Sequence, residues 1–233
     1  LWAGCRGSMG VSLDDGGFHR FNTLPFEDGT TVSWYHVRDI VEDADGSMWV
    51  ATGNCGIVHV CGDISRPETL KFHNYSHHNR RLAVNSALCL FLDSTGRLWV
   101  GTEGGGLYLY DRRKGTFSGK NRPYSIPGDM VSSIEEDRQG NLWLGTNAGL
   151  VRLHVPEDGT LPAVCVYTTA DGLQDNFFIA HSSCSRDGKL FFGGNKGYNS
   201  FLPSTLEESK KEVPFWVTDI KIFNRSFATL DSC

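Results

Sequence analysis

The sequence contains no uninterrupted run of about 18 apolar residues, the length a membrane-spanning helix requires, so no segment reads as a transmembrane span. It has no excess of positive charge either: 22 Lys and Arg against 27 Asp and Glu leave a net charge of -5, with the basic residues scattered. A phosphate-binding surface needs them clustered, which argues against nucleic acid as the main partner. There is no Cys-x-x-Cys pair. The seven cysteines, at 5, 55, 61, 89, 165, 184 and 233, fall at no metal-ligand spacing, and an odd number leaves at least one thiol unpaired in a monomer. Mostly buried free thiols are expected, and they identify no compartment. A Gly-x-Ser-x-Gly elbow is lacking, as is any kinase signature. No charged-then-apolar leader is present, an uninformative absence because the chain opens inside a repeat.

What the sequence does have is that repeat. Asp45-Gly46-Ser47-Met48-Trp49-Val50-Ala51-Thr52 returns as Thr95-Gly96-Arg97-Leu98-Trp99-Val100-Gly101-Thr102 and as Gln139-Gly140-Asn141-Leu142-Trp143-Leu144-Gly145-Thr146. A weaker copy is Asp187-Gly188-Lys189-Leu190-Phe191-Phe192-Gly193-Gly194, and Leu1-Trp2-Ala3-Gly4 opens the chain inside another. The aromatic anchors stand at 2, 49, 99, 143 and 191, so the interval stays between 44 and 50 residues. A period of that size points to propeller blades or a similar array.

Within each period apolar and polar residues alternate with period two between turn signals, a strand pattern. In the clearest unit, strands are predicted at 130–137, 142–146, 150–154 and 163–168, a four-stranded antiparallel meander of blade size. Gly46, Gly96, Gly140 and Gly188 stand where a hairpin turn needs positive φ. Trp2, Trp49, Trp99, Trp143 and Phe191 read as spacers between neighbouring sheets. The fold class is therefore all-β: a partial β-propeller of about four to five blades, near 1–22, 36–75, 86–124, 130–168 and 177–202, within a first domain at 1–203. A charged linker is expected at 204–212, and 213–233 as the start of a further β-sandwich. The chain is expected to be a fragment, with sheet edges that need the missing blades or a second copy, as in a homodimer.

Leu-Trp-Val-Gly-Thr followed by Gly104-Gly105-Gly106-Leu107-Tyr108-Leu109-Tyr110-Asp111 resembles the two-component regulator propeller repeat. Asp171-Gly172-Leu173-Gln174-Asp175-Asn176 is similar to the family's lead-in to a blade, and Gly193 to Pro203 to its closing blade. Val213 to Asn224 resembles the opening strand of the immunoglobulin-like three-tyrosine domain that follows such propellers. The resemblance implies an extracytoplasmic, periplasmic sensor segment of a membrane receptor, often a hybrid histidine kinase. It implies glycan fragments as ligands, no catalytic module and no cofactor in this stretch, and a membrane reached only through the parent protein.

In a meander with its first strand innermost, the loops entering strand one and joining strands two and three share a face, where concave polar sites form. Aromatic and amide groups there suit a sugar, by stacking and by hydrogen bonds to hydroxyls. The candidate ligand residues are Trp34, Tyr35, His36, Arg81, Asn85, Glu103, Asn147, Asn176 and Asn195. The plainer reading of each Asn is a turn residue, and of Trp34 and Tyr35 edge packing. His73, His77 and His78 lie in a predicted polar connector without a carboxylate or thiolate at ligand spacing, so no metal is expected. Asp43, Asp93 and Asp137 recur six places before each Trp, which assigns them to the turn and not to catalysis. Gly104-Gly105-Gly106 joins two strands and opens no helix, unlike a phosphate cradle.

Two other classes stay open. A propeller enzyme of sialidase or polysaccharide-lyase type would carry Asp five places before the aromatic, or an arginine triad, and neither is evident. A quinone-cofactor propeller lacks the Ala and Asp its motif expects. A protein-interaction scaffold is the harder alternative to separate from a ligand sensor.

Overall fold

The computed structural model describes residues 1–13, 16–26, 29–33, 36–118, 126–156, 162–206, 221–222 and 225–226. It divides into two units, Leu1–Pro203 and Ser204–Cys233.

In the first unit, strands pair antiparallel in chain order. β1 (Trp2–Cys5), β2 (Ser8–Ser12) and β3 (Phe18–Phe21) make a three-stranded sheet, and β4 (Thr23–Pro25) with β5 (Thr31–Ser33) a separate hairpin. Three four-stranded sheets follow. The first holds β6 (Val37–Glu42), β7 (Met48–Thr52), β8 (Ile57–Cys61) and β9 (Lys71–Tyr75). The next holds β10 (Ala87–Leu92), β11 (Leu98–Thr102), β12 (Leu107–Asp111) and β13 (Thr116–Ser118). The third holds β14 (Val131–Glu136), β15 (Leu142–Thr146), β16 (Gly149–His154) and β17 (Ala163–Tyr167). A last sheet has three strands, β18 (Phe178–Cys184), β19 (Leu190–Gly194) and β20 (Gly197–Phe201). The inner strands β6, β10, β14 and β18 pack side by side in that order, which is the arrangement of propeller blades. In the second unit the described residues form the hairpin β21 (Lys221–Ile222) and β22 (Arg225–Ser226). Most of the run 213–224 lies outside the described residues.

The residues between the first two blades, which the sequence reading left unassigned, carry the β4–β5 hairpin, and the last sheet is built of three strands where blades of four were expected. His73 is on β9, its ring 6.2 Å from that of His59, and not in a connector. Of the six described cysteines, Cys55 and Cys89 are buried, whereas Cys5 and Cys184 are exposed. The expectation of mostly buried thiols is thus corrected: Cys5, Cys61 and Cys184 stand at strand ends, and Cys165 is on the outer strand β17.

The repeat holds each blade by a turn and a spacer. Gly46, Gly96 and Gly140 have φ of 81, 79 and 76°, and nothing lies within 4 Å of a Cβ built at Gly46 or Gly96. Backbone conformation alone selects glycine there. The recurring aspartate closes the turn and also accepts the indole N–H: Trp49 Nε1 donates to Asp43 at 2.9 Å, Trp99 to Asp93 at 2.7 Å and Trp143 to Asp137 at 2.8 Å. Each of these three indoles is 0% exposed. Burying one is worth on the order of 4–6 kcal/mol before entropy is counted.

Trp49 and Trp143 are each covered from their own blade, by His59 at 3.8 Å and Tyr167 at 5.5 Å, and from the next blade, by Tyr110 at 4.7 Å and Phe201 at 4.8 Å between ring centroids. The motif glycine permits this approach. A Cβ at Gly101 would lie 2.5 Å from the Val131 carbonyl oxygen at the start of the next inner strand, and one at Gly4 would collide with Val37.

Candidate functional site

Inter-blade latches build one face of the first unit. The loop after each second strand bonds to the loop entering the next blade: Gly56 N–H to Asn85 O at 2.7 Å, Gly106 N–H to Asp129 O at 2.8 Å, Gly149 N–H to Asn176 O at 2.7 Å. The motif threonine tightens each loop, Thr52 Oγ1 donating to Gly56 O, Thr102 to Gly106 O and Thr146 to Gly149 O at 2.7–2.9 Å. Loops that enter strand one and loops that join strands two and three therefore do share a face.

The sequence candidates on that face mostly serve the latches. Asn85 Oδ1 accepts from His77 N–H at 2.9 Å, and Asn176 Oδ1 from Thr169 N–H at 2.8 Å. Asn147 Nδ2 donates to Asp129 at 2.8 Å, and Glu103 accepts from Ser86 Oγ at 3.0 Å. His36, held at φ 52°, accepts from Arg6 Nε at 2.8 Å. Arg81 is exposed, its guanidinium 5.6 Å above the Tyr75 ring, and Asn195 is exposed on the turn before β20. Trp34 and Tyr35 lie outside the described residues. The structure brings Arg81, Asn85 and, through Ser86, Glu103 to one loop; Asn147, Asn176 and Asn195 belong to later blades, and His36 to the start of β6.

A concavity lies beside Arg81, where the segment from β9 to β10 passes the outer part of the following blade. It measures about 630 Å³ and is lined by His77, His78, Arg80, Arg81, Tyr108 and Phe117, with Leu82 and Ala83. Arg80 is in the left-handed region at φ 59°. A second cavity of about 450 Å³ shares His78 and is lined by Phe26, Asn54, Asn74, Ser76 and Asn79 among others. Both volumes suit a small ligand. The hydroxyls of Tyr108 and Ser76 are buried without a hydrogen-bond partner among the described residues, although the Ala83 N–H lies near that of Tyr108. Sequence reasoning included Arg81, weighed His77 and His78 only as metal ligands, and did not single out Arg80, Ser76 or Tyr108 for a site. The signal available was His77-His78-Asn79-Arg80-Arg81, a run without acid in an acidic chain.

A third cavity, about 230 Å³, lies along the inner strands. Each inner strand has a bulge, between Val37 and Asp39, Ala87 and Cys89, Val131 and Ser133, and Phe178 and Ser182. Bulges free backbone groups, and side chains capture some of them: Asp39 accepts from Leu90 N–H at 2.8 Å, and Ser132 Oγ donates to Phe178 O at 3.1 Å. Burial pushes the carboxyls of Asp39 and Glu135 up, against hydrogen bonds from Leu90 and Ile40 to the first and from Ser182 to the second. His181 opposite Asp39 also favours that carboxylate. Among the described residues no group of three His, Cys, Asp or Glu is placed to hold a metal. The cavity falls below the usual size of a ligand pocket, and its polar groups are explained by the bulges.

Comparison with known proteins agrees with this architecture. The family model described as two component regulator propeller matches residues 31–54, 81–104 and 125–148, each copy spanning an inner strand, its turn and the Trp strand. No curated protein matches the chain. Among solved structures, two extracellular domains assigned to hybrid two component systems of B. thetaiotaomicron align at 18% identity, with TM-scores of 0.61 and 0.54. The alignments cover 87% and 83% of this chain and 27% and 25% of theirs, so the chain spans about a quarter of their length. Virginiamycin B lyase of Staphylococcus aureus aligns at 16% identity and TM-score 0.54, covering 84% of this chain and 62% of the lyase. At such identities the likeness is one of fold, and the family rests on the three matched copies together with the Asp, Gly and Trp that build them. The chain carries three copies that match the two component regulator propeller repeat.

Proposed function

We propose that this chain is a ligand-sensing segment from the extracytoplasmic, periplasmic half of a two-component receptor, and that it binds a glycan fragment at the loop face of its blades. Output through a kinase belongs to the parent protein. The observation that carries the reading is the pair of adjoining cavities sharing His78, on a chain with three copies that match this regulator family's repeat. Aromatic faces, amides and unpartnered hydroxyls in a concave site suit saccharide hydroxyls better than an apolar ligand. The fold of the two extracellular domains supports the placement outside the cytoplasm.

Calorimetric titration of the purified chain with an oligosaccharide library tests this reading, with saturable heat for at least one saccharide as the expected result. The propeller fold of virginiamycin B lyase supplies an enzymatic alternative. Release of new reducing ends or unsaturated products from the same library would favour it. Binding without turnover is expected, because the inner-strand carboxyls have structural partners and the repeated aspartates are committed to their tryptophans.

A further inference from the structure

We propose that the cavity beside Arg80 and Arg81 receives the anionic group of an acidic oligosaccharide, a uronate carboxylate or a sulfate ester, with the neighbouring sugar in the cavity beyond His78. This rests on the glycan-sensing reading above and names its ligand class. The first argument is charge. The chain carries a net charge of -5, yet this cavity is lined by His77, His78, Arg80 and Arg81 and, among its described lining residues, by no carboxylate. Guanidinium groups present donors in a fork that matches a carboxylate or sulfate. Arg81 is held ready for that role, stacked 5.6 Å above the Tyr75 ring.

The second argument is strain. Arg80 holds φ 59°, a backbone conformation costly for any residue with a Cβ, and a turn with no further task would be better served by glycine. The third is unmet hydrogen bonding. The Ser76 hydroxyl, on a residue 1% exposed, lines the second cavity without a partner among the described residues, and that of Tyr108, 3% exposed, lines the cationic one with only the Ala83 N–H beside it. Buried hydroxyls in this state are costly unless something joins them. Phe26 offers the second cavity a ring face for a sugar.

The test is calorimetry on the full chain with three probes: digalacturonate, a sulfated glucosamine disaccharide, and neutral cello- and xylo-oligosaccharides. Arg80→Gly and Arg81→Gln are measured beside the parent. Arg80→Gly removes the guanidinium while relieving the backbone, so it is expected to fold at least as well. One acidic probe should bind, the responding probe separating carboxylate from sulfate, and each variant should weaken it roughly tenfold or more. Affinity should fall as salt rises. Binding of neutral saccharides alone, or acidic binding unchanged in Arg80→Gly, overturns the inference and leaves the glycan reading intact. Silence with all three probes overturns the inference, and silence across the whole oligosaccharide library overturns the glycan reading as well.

Discussion

Replacing Asp43 by Asn isolates the strap between the second and third blades. Asp43 accepts from Trp49 Nε1 at 2.9 Å, from Ala44 N–H at 2.7 Å and from both terminal nitrogens of Arg112 at 2.8 Å, Arg112 reaching it from the turn between β12 and β13. Burial alone would raise the Asp43 carboxyl, but Arg112, Trp49 and Ala44 together outweigh it and bring the pKa from 3.8 to about 2. That fall corresponds to about 2.5 kcal/mol of folding free energy. Arg112 is 46% exposed, so solvent screening trims its share, and about 1.5–2.5 kcal/mol is the working expectation.

Because the folded pKa lies below the unfolded one, this stabilisation is complete above about pH 4 and is lost as pH falls toward 2, with about half remaining at pH 3. Asp43→Asn keeps an acceptor for the indole but no charge for Arg112. It should therefore lose about 1.5–2.5 kcal/mol at pH 7, a drop of roughly 3–10 °C in Tm for a unit of this size. Its deficit should halve at pH 3. Urea denaturation followed by tryptophan fluorescence at pH 7, 4 and 3 measures both. A variant within about 0.5 kcal/mol of the parent at pH 7, or one whose deficit stays constant down to pH 3, would refute the strap.

Three further outcomes follow from the same geometry. Gly96→Ala should cost only about 1 kcal/mol, since φ is 79° but nothing crowds the new Cβ, whereas Gly101→Ala should cost at least twice that, its Cβ falling 2.5 Å from the Val131 carbonyl of the next blade; equal losses in a urea titration would contradict the inter-blade role. Trp143→Ala should cost about 3–5 kcal/mol, because the indole is wholly buried and ties β15 to Phe201 of β20. Limited proteolysis should then cut first at or beyond β17, and an intact digestion pattern would speak against that coupling. Iodoacetamide at pH 7.5 should label Cys5 and Cys184 in the native chain and spare Cys55 and Cys89, whose thiols burial pushes up, Cys55 to about 11; mass spectrometry of the labelled peptides reads the order.

What could be read from the sequence and what could not divide along a physical line. Asp43, Gly46, Trp49 and Thr52 recur because each blade poses the same problem: a turn to close, an indole to satisfy and cover, a loop to latch. The same problem selects the same residues at 93, 96, 99 and 102. The exchange of Gly for Ala51 is the exception that fits, since the next inner strand there begins with small Ala87, buried in the same cluster. The β4–β5 hairpin gave little warning because its strands are three residues each, too short for alternation to register. Asparagine carries two messages at once: Asn85, Asn147 and Asn176 stand on the loop face the sequence pointed to, and there they make the hydrogen bonds that tie its segments together.

The groove has no such repetition behind it. Arg80 is not a residue that turn chemistry would select, and its positive φ is invisible until the chain is folded. Ser76 and Tyr108 are separated by 32 positions in the sequence, and only the packing of one blade's outer strand against the next sets them around neighbouring cavities. A scaffold of near-identical blades must place its specificity in segments that are not identical, and the β9–β10 connection has what the repeat lacks: concentrated positive charge, a strained arginine and, at Ser76, a buried hydroxyl without a partner among the described residues. Those residues can vary without disturbing the Asp, Gly and Trp framework, because the latches reach the loop through the Asn85 carbonyl and side chain and not through Arg80 or Arg81. Changing the two arginines should therefore alter recognition while the blades stay assembled, a separation that the Asp43 and Trp143 variants, which act on the framework, should not show.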